Sequence, residues 1–365
     1  MNSSSTRRRW LSPWRLVAGI TTALVFLAGC SPADSGLSAT ASAPTGSAEG
    51  GGAVAQVLSA TEAFLARLDP AQKVAVVGER TQANLSQWSN LPDNRFQRAG
   101  LQMGTLSQAQ RDAVMKIFQV ALSDEGYQQL TQIAAGDGVL AAQAGPGEGP
   151  YGPDLYWIRI LGTPATAGTW TVQFGGHHLA VNVTMSGTAM TLAPSFWGAH
   201  PAVYDQDGRY VEPMRGETSK AFALVESLDP AQLDAAVLDA PVTEPVLGAG
   251  QDGKTLVPEG VQASTFTDAQ KTLLLDLVSE WINTLNPEQA AAKLEAVKTH
   301  LDETTFAWSG STFIGNPIYY RLQGPTFTIE FGHQQGQQYF NTGGITHVHS
   351  IYREPGNDYG AGLGS

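Results

Sequence analysis

One cysteine is all the chain has in 365 residues, and it stands at the end of an N-terminal apolar run, as Cys30. A single cysteine excludes intrachain disulfides, Cys-ligated zinc, iron–sulfur clusters and paired-thiol redox chemistry, so packing alone must hold the fold. Charge is sparse as well: 15% of residues are Asp, Glu, Lys or Arg, with 33 acids against 21 bases. A surface of that sign disfavours nucleic acid and anionic lipid headgroups as partners. No G-x-S-x-G stretch occurs, which removes the usual nucleophile elbow of serine hydrolases. What the chain does have is 42% hydrophobic residues, ample for a substantial core at this length.

The first 30 residues differ from the rest. Arg7-Arg8-Arg9 and Arg15 precede an apolar run from Leu16 to Ala28, too short for a comfortable bilayer span but suited to a signal h-region. Leu27-Ala28-Gly29-Cys30 reads as a lipobox, in which the signal is cut before the Cys and its thiol is acylated. Thr6 to Leu11 also fits twin-arginine export, although the basic run alone would serve ordinary secretion. The reading is a signal peptide over 1–29 and a tether over 30–52, made of Ser, Ala, Thr, Gly and Pro with only Asp34 and Glu49 charged. The expected product is an exported, cell-envelope lipoprotein held to the membrane through Cys30. Removal of the signal leaves 17 bases against 33 acids.

Leu68-Asp69-Pro70-Ala71-Gln72 returns 160 positions later as Leu228-Asp229-Pro230-Ala231-Gln232, and the same offset carries Ala109-Gln110 onto Ala269-Gln270. Asp before Pro suits a helix cap and first turn. Ser107 and Thr267 are matching N-cap candidates. After them Ala113, Val114, Ile117, Phe118 and Ala121, and likewise Leu273, Leu274, Leu277, Val278 and Trp281, follow the stripe of a helix buried on one face. A third helix is expected from about Asp124 and about Pro287. Strand formers follow at Leu155–Leu161, Thr169–Phe174 and His178–Met185, answered by Ile318–Leu322, Thr326–Phe331 and Ile345–Tyr352. Arg159-Ile160-Leu161-Gly162 resembles Arg321-Leu322-Gln323-Gly324. These patterns predict an α+β fold with antiparallel sheet, built from an internally duplicated unit in pseudo-two-fold arrangement: halves over 53–216 and 217–360, then a flexible tail over 361–365.

Histidines cluster late in each half, as His177-His178 and as His347-Val348-His349. Residues i and i+2 share one face of a strand, so His347 and His349 project together at a spacing that suits one metal ion. A third ligand is expected from His177 or His178, which as strand neighbours would face opposite ways. Glu330, polar amid Phe327, Ile329 and Phe331, is a candidate fourth ligand or general base, and Arg353 a candidate for holding an anionic group. Zinc or copper is the expected ion. His200 and His333 carry less weight, and His300 ends a predicted helix, where a cation is favourable. Gly248 to Thr255 satisfies the Walker A pattern, but Lys254-Thr255 runs into Leu256-Val257-Pro258-Glu259-Gly260, which cannot open a helix, so a structural loop is expected and no nucleotide. Asp207-Gly208 marks a hairpin turn rather than a calcium loop. Ser195 and Ser309 lack an evident base beside them.

The closing run from His347 to Gly360 resembles the final motif of a bacterial and fungal family known as domain of unknown function 3500. Phe174 to Ala180, Ala193 to Gly198, Leu247 to Lys254, Pro258 to Gly260 and Ala307 to Gly310 are similar to other segments of it. The chain departs from the pattern at Glu354, where Asp is expected. The resemblance implies no activity, but it places His177, His178, His347, His349, Arg353 and Asp358 in recurrent motifs, as a shared polar site would. Two functions follow as expectations. One is a metal-dependent hydrolase with Glu330 moving the proton and Arg353 and Asp358 at the site. The other is a binding or scaffold lipoprotein without metal, taking a small polar or anionic ligand, in which Arg353 and Asp358 lock the C-terminal loop.

Overall fold

A computed structural model describes residues 52–145, 147–335 and 345–363. The expected signal segment, Cys30 and all of the tether but Gly52 lie outside these residues. In chain order the elements are α1 (Ala53–Leu65), α2 (Pro70–Val76), β1 (Val77–Gly78), α3 (Gln82–Leu85), β2 (Leu101–Gln102), α4 (Gln108–Ala121), α5 (Asp124–Gln143), β3 (Trp157–Leu161), β4 (Thr169–Gly176), β5 (Leu179–Ser186), β6 (Ala189–Thr191), β7 (Ser195–Ala199), β8 (Tyr204–Gln206) and β9 (Arg209–Val211). There follow α6 (Arg215–Glu226), α7 (Pro230–Ala236), β10 (Val261–Gln262), α8 (Asp268–Ile282), α9 (Pro287–Thr299), β11 (Thr305–Gly310), β12 (Ile318–Gly324), β13 (Phe327–Gln335) and β14 (Ile345–Arg353). The fold is α+β.

One sheet runs β1-β3-β4-β5-β7-β14-β13-β12-β11-β10, with β2 on β3 and β6 on β5. Its pairings are antiparallel except β1 with β3. On one face, Val114, Ile117 and Phe118 of α4 and Leu274, Leu277 and Trp281 of α8 join a large core with the sheet residues Val172, Trp197, Tyr320 and Phe331. Each such side chain contributes roughly 1.5–3 kcal/mol on full burial. On the other face a smaller core of Phe196, Leu161, Ile351 and Tyr359 is covered by loop residues such as Trp88 and Leu247.

The caps read from the sequence form as pairs. Asp69 and Asp229 accept from the N–H of Gln72 and Gln232, whose side chains accept in return. Ser107 with Gln110 and Thr267 with Gln270 make two more such boxes. Gln110 and Gln270 also donate to the carbonyls of Arg67 and Ser227, fastening each long helix to the loop before the short one. Gly100 and Gly260, again 160 apart, adopt φ +112° and +96°, and a Cβ at either would lie 2.2 Å from the carbonyl oxygen of Ile158 or Phe306. Only glycine fits such an approach.

Those glycines set the strand correspondence. Leu101 pairs with Ile158, and Val261 with Phe306, so the registers match β3 with β11, β4 with β12 and β5 with β13, 148 positions apart. The likeness of Arg159–Gly162 to Arg321–Gly324 had matched β3 with β12, one strand further in. Both fragments are buried strand interiors of similar alternation, and hydrogen-bond register rather than local likeness decides the match. Between α4 and β3 the offset falls from 160 to 148, and part of the change lies in helix length: α5 has 20 residues and α9 has 13. Residues 53–216 and 217–360 are joined where β7 pairs with β14, with Ser195 opposite Tyr352, and again at the bridge of Leu122 to Leu285.

Candidate metal centre

His177 and His178 form the two-residue turn between β4 and β5, with Gly176 paired to Leu179. They are not strand neighbours on opposite faces. His178 adopts φ +62°, and the left-handed turn brings both rings together, their centroids 3.9 Å apart. The backbone holds them firmly. Asn90 O accepts from His178 N, Gly198 N donates to His178 O, and Tyr156 OH donates to His177 O. His347 and His349 share a face of β14, with ring centroids 4.9 Å apart. His200, directly after β7, stacks on His347 at 4.7 Å. The ring of His178 lies 5.1 Å from His347, 4.9 Å from His349 and 5.3 Å from His200.

Five imidazoles therefore converge, and a metal ion can be held by two groups of three: His177, His178 and His200, or His178, His347 and His349, each with its ligand nitrogens within 4.8 Å of one another. His200 was given little weight in the sequence. Its signal lies in the strand before it, Ser195–Ala199, which is not among the segments the sequence marks as strands; as β7 it pairs with β14 and ends beside His347.

The neighbours of these rings fix their tautomers. Asp137 Oδ1 sits 2.6 Å from His177 Nδ1, and Glu244 Oε1 2.8 Å from His349 Nδ1. Thr346 Oγ1 donates to Gln334 O and so accepts from His347 Nδ1, 2.8 Å away. Each Nδ1 carries the proton, which leaves Nε2 with its lone pair for a ligand. The Nε2 of His349 and the Nδ1 of His178 are buried without any hydrogen-bond partner, a costly state for polar atoms unless something else binds them. Burial, reinforced by the neighbouring imidazoles, lowers the pKa of His347 to about 2 and that of His200 to about 3, and holds His178 well below its ordinary value. These rings are neutral near pH 7, the form that binds metals.

Asp137 reaches the centre because α5 is long: it is the fourteenth residue of that helix, one beyond the whole length of α9. It is 2% exposed and also accepts from Gly152 N. Tyr151 stacks on His177 at 4.7 Å. A cleft of about 500 Å³ between the 86–96 and 244–251 segments opens onto His349 and Glu244, with Trp88, Phe96 and Phe196 among its walls and Ser89, Asn90 and Gln251 as polar points.

Glu330, Arg353 and Asp358 lie elsewhere. Glu330 is fully buried and spends both oxygens on the chain: Val246 N and Leu247 N donate at 2.9 and 2.7 Å, and Tyr319 OH at 2.6 Å. It anchors the 246–247 loop and makes no hydrogen bond to the histidines among the described residues. Arg353 donates to the carbonyls of Leu247 and Gly248 and to Asp252 and Asp358. Four residues beyond His349 on one strand, it is roughly 13 Å away at the ordinary rise. Asp358 also accepts from Glu354 N. The Walker-like segment is the loop these residues clamp, and it opens no helix. Asp207-Gly208 turns the β8–β9 hairpin. His333 contacts Thr218 on the helix side of the sheet, His300 caps α9 and pairs with Glu303, and the hydroxyls of Ser195 and Ser309 accept from Trp197 Nε1 and Val242 N.

The chain belongs to the family described as protein of unknown function (DUF3500), whose model matches residues 50–361. No curated protein and no solved structure matches it.

Proposed function

We propose that this chain is an exported, lipid-anchored metalloprotein that uses its histidine centre for metal-dependent hydrolysis. The observation that carries the reading is the set of three imidazoles whose Nδ1 protons are already accepted, by Asp137, Glu244 and Thr346, each in a group of three histidines, shared with His178, that could hold an ion. Carboxylate-oriented histidines are a recurrent signature of metal sites. An all-nitrogen, uncharged donor set suits copper or zinc over magnesium or calcium. Such an ion would polarise a carbonyl or activate water. The cleft at His349 gives a small substrate access, and its walls offer apolar rings with few charges. Glu244, 53% exposed and on the cleft, is the acidic group placed to exchange protons there. Export and anchoring rest on the Arg-rich start and the Leu27–Cys30 segment. The recurrence of caps, glycines and registers supports reading the halves as pseudo-two-fold copies.

A second reading, a ligand-binding lipoprotein without metal, draws support from Arg353 and Asp358, which lock the C-terminal loop as that reading expects. Elemental analysis of protein purified without a polyhistidine tag separates the two. Stoichiometric zinc or copper, lost in the His347→Ala, His349→Ala double variant, is expected. Absence of metal after challenge with both ions would leave the second reading standing.

A further inference from the structure

His178 breaks the pattern its neighbours keep. His177, His347 and His349 each place one ring nitrogen on an oxygen and free the other, whereas the ring of His178, 5% exposed, makes no hydrogen bond with either nitrogen among the described residues. Its Nδ1 is buried and bare, a costly state for a polar atom, and a metal there would still leave Nε2 without a hydrogen bond.

The grouping of ligands resolves this. The nitrogens that approach within 4.8 Å of one another do not form a single set of five; they form two sets of three, and His178 is the member common to both. Each set has its own carboxylate-oriented histidine: His177 on Asp137 in one, His349 on Glu244 in the other. His200 completes the first set and His347 the second. We infer that the centre holds two metal ions, bridged through the two ring nitrogens of His178.

The protons balance. A neutral imidazole carries one N–H, so binding the second ion releases that proton to solvent and leaves His178 as a bridging imidazolate. With metal–nitrogen bonds near 2.0–2.1 Å, ions on the two nitrogens of one ring stand roughly 6 Å apart. The ions then sit on either side of the β4–β5 turn residue, one toward α5 and one toward the cleft that opens on His349. The two sites differ in exposure: Asp137 is buried and Glu244 is on the surface, so the cleft-side ion is the one open to exchange.

This inference rests on the metal reading above, and stoichiometry separates the failure of one from that of the other. The full chain is loaded with Cu(II) alone, and separately with Zn(II) alone, and analysed for metal per chain. Two ions per chain are expected. His200→Ala and His347→Ala should each retain one. His178→Asn, chosen because Asn tolerates the left-handed backbone, should remove the coupling between ions and hold at most one tightly. In the dicopper form, electron paramagnetic resonance should show the loss of the isolated Cu(II) signal through coupling across the ring. A circular dichroism spectrum matching the parent certifies each variant as folded. One ion per chain in the parent, or two with uncoupled signals, would overturn the bridge while leaving a single-ion centre intact; no metal at all would overturn both.

Discussion

The turn between β4 and β5 and the turn between β12 and β13 occupy matching registers, Gly176 opposite Leu179 and Gly324 opposite Phe327. The first carries His177 and His178 and faces bare ring nitrogens. The second carries Pro325 and Thr326 and faces a closed network, in which Glu354 accepts from Lys293, Tyr352 and Asn357 while Arg353 is spent on two carbonyls and two carboxylates. One scaffold thus supports an end where Arg353 and Glu354 are paired by the chain itself and an end where ring nitrogens of His178 and His349 are buried without a partner. Interactions at the closed end bear on stability, and those at the open end on ligand affinity.

Arg353→Ala tests that division most severely. It removes a buried guanidinium and leaves Asp252 and Asp358 unpaired, so a loss of about 3–5 kcal/mol is expected in denaturant titration, with metal per folded chain unchanged. Loss of metal at equal folding would erase the distinction between the ends. At the open end Asp137→Asn should weaken metal binding by roughly 10–100-fold, about 1.4–2.7 kcal/mol, read by competition with a chelator. Glu244→Gln, at a mostly exposed carboxylate, should cost about tenfold or less in the same assay. If the two substitutions rank in the opposite order, burial does not set the strength of these partners.

The smallest effect concerns pH. In the unfolded chain His178, His200 and His347 take up protons below about 6.5, whereas in the folded metal-free chain His200 resists to about 3 and His347 to about 2. The unfolded state binds more protons in that window, so the contribution to stability is complete only well above pH 6.5 and falls as the pH approaches and passes that value. From pH 7.5 to 6.5 a decline of about 1 kcal/mol or less is expected, and it should shrink in the His200→Ala, His347→Ala variant.

Much of this comparison was visible in the chain before folding was considered. Capping boxes are local, so Asp69–Gln72 and Thr267–Gln270 announce themselves within four residues, and the stripes of α4 and α8 follow from helix periodicity. The i, i+2 pairing of His347 and His349 is equally local. Three things were not. His178 reaches the cluster through a left-handed turn, which placing it as the first residue of a strand conceals. The strands Ser195–Ala199 and Thr305–Gly310 are short and aromatic, and only their neighbours in the sheet identify them. Glu330 looked reactive because it is a carboxylate among apolar residues, but its partners, Val246 and Leu247, lie more than 80 positions away, and no periodicity encodes a bond between a strand and a distant loop.

The pairing of β7 with β14 has a consequence for when the centre can exist. The histidines come from positions as far apart as 177 and 349. A folding polypeptide has no such five-ring centre until β14 has docked on β7, and long-range strand pairing is among the slower events of folding. The full set of five rings is then a mark of completed folding. A chain with β14 undocked keeps at most the trio of His177, His178 and His200, and under the proposed metal reading would forgo the stabilisation that ions bound to the folded state alone confer.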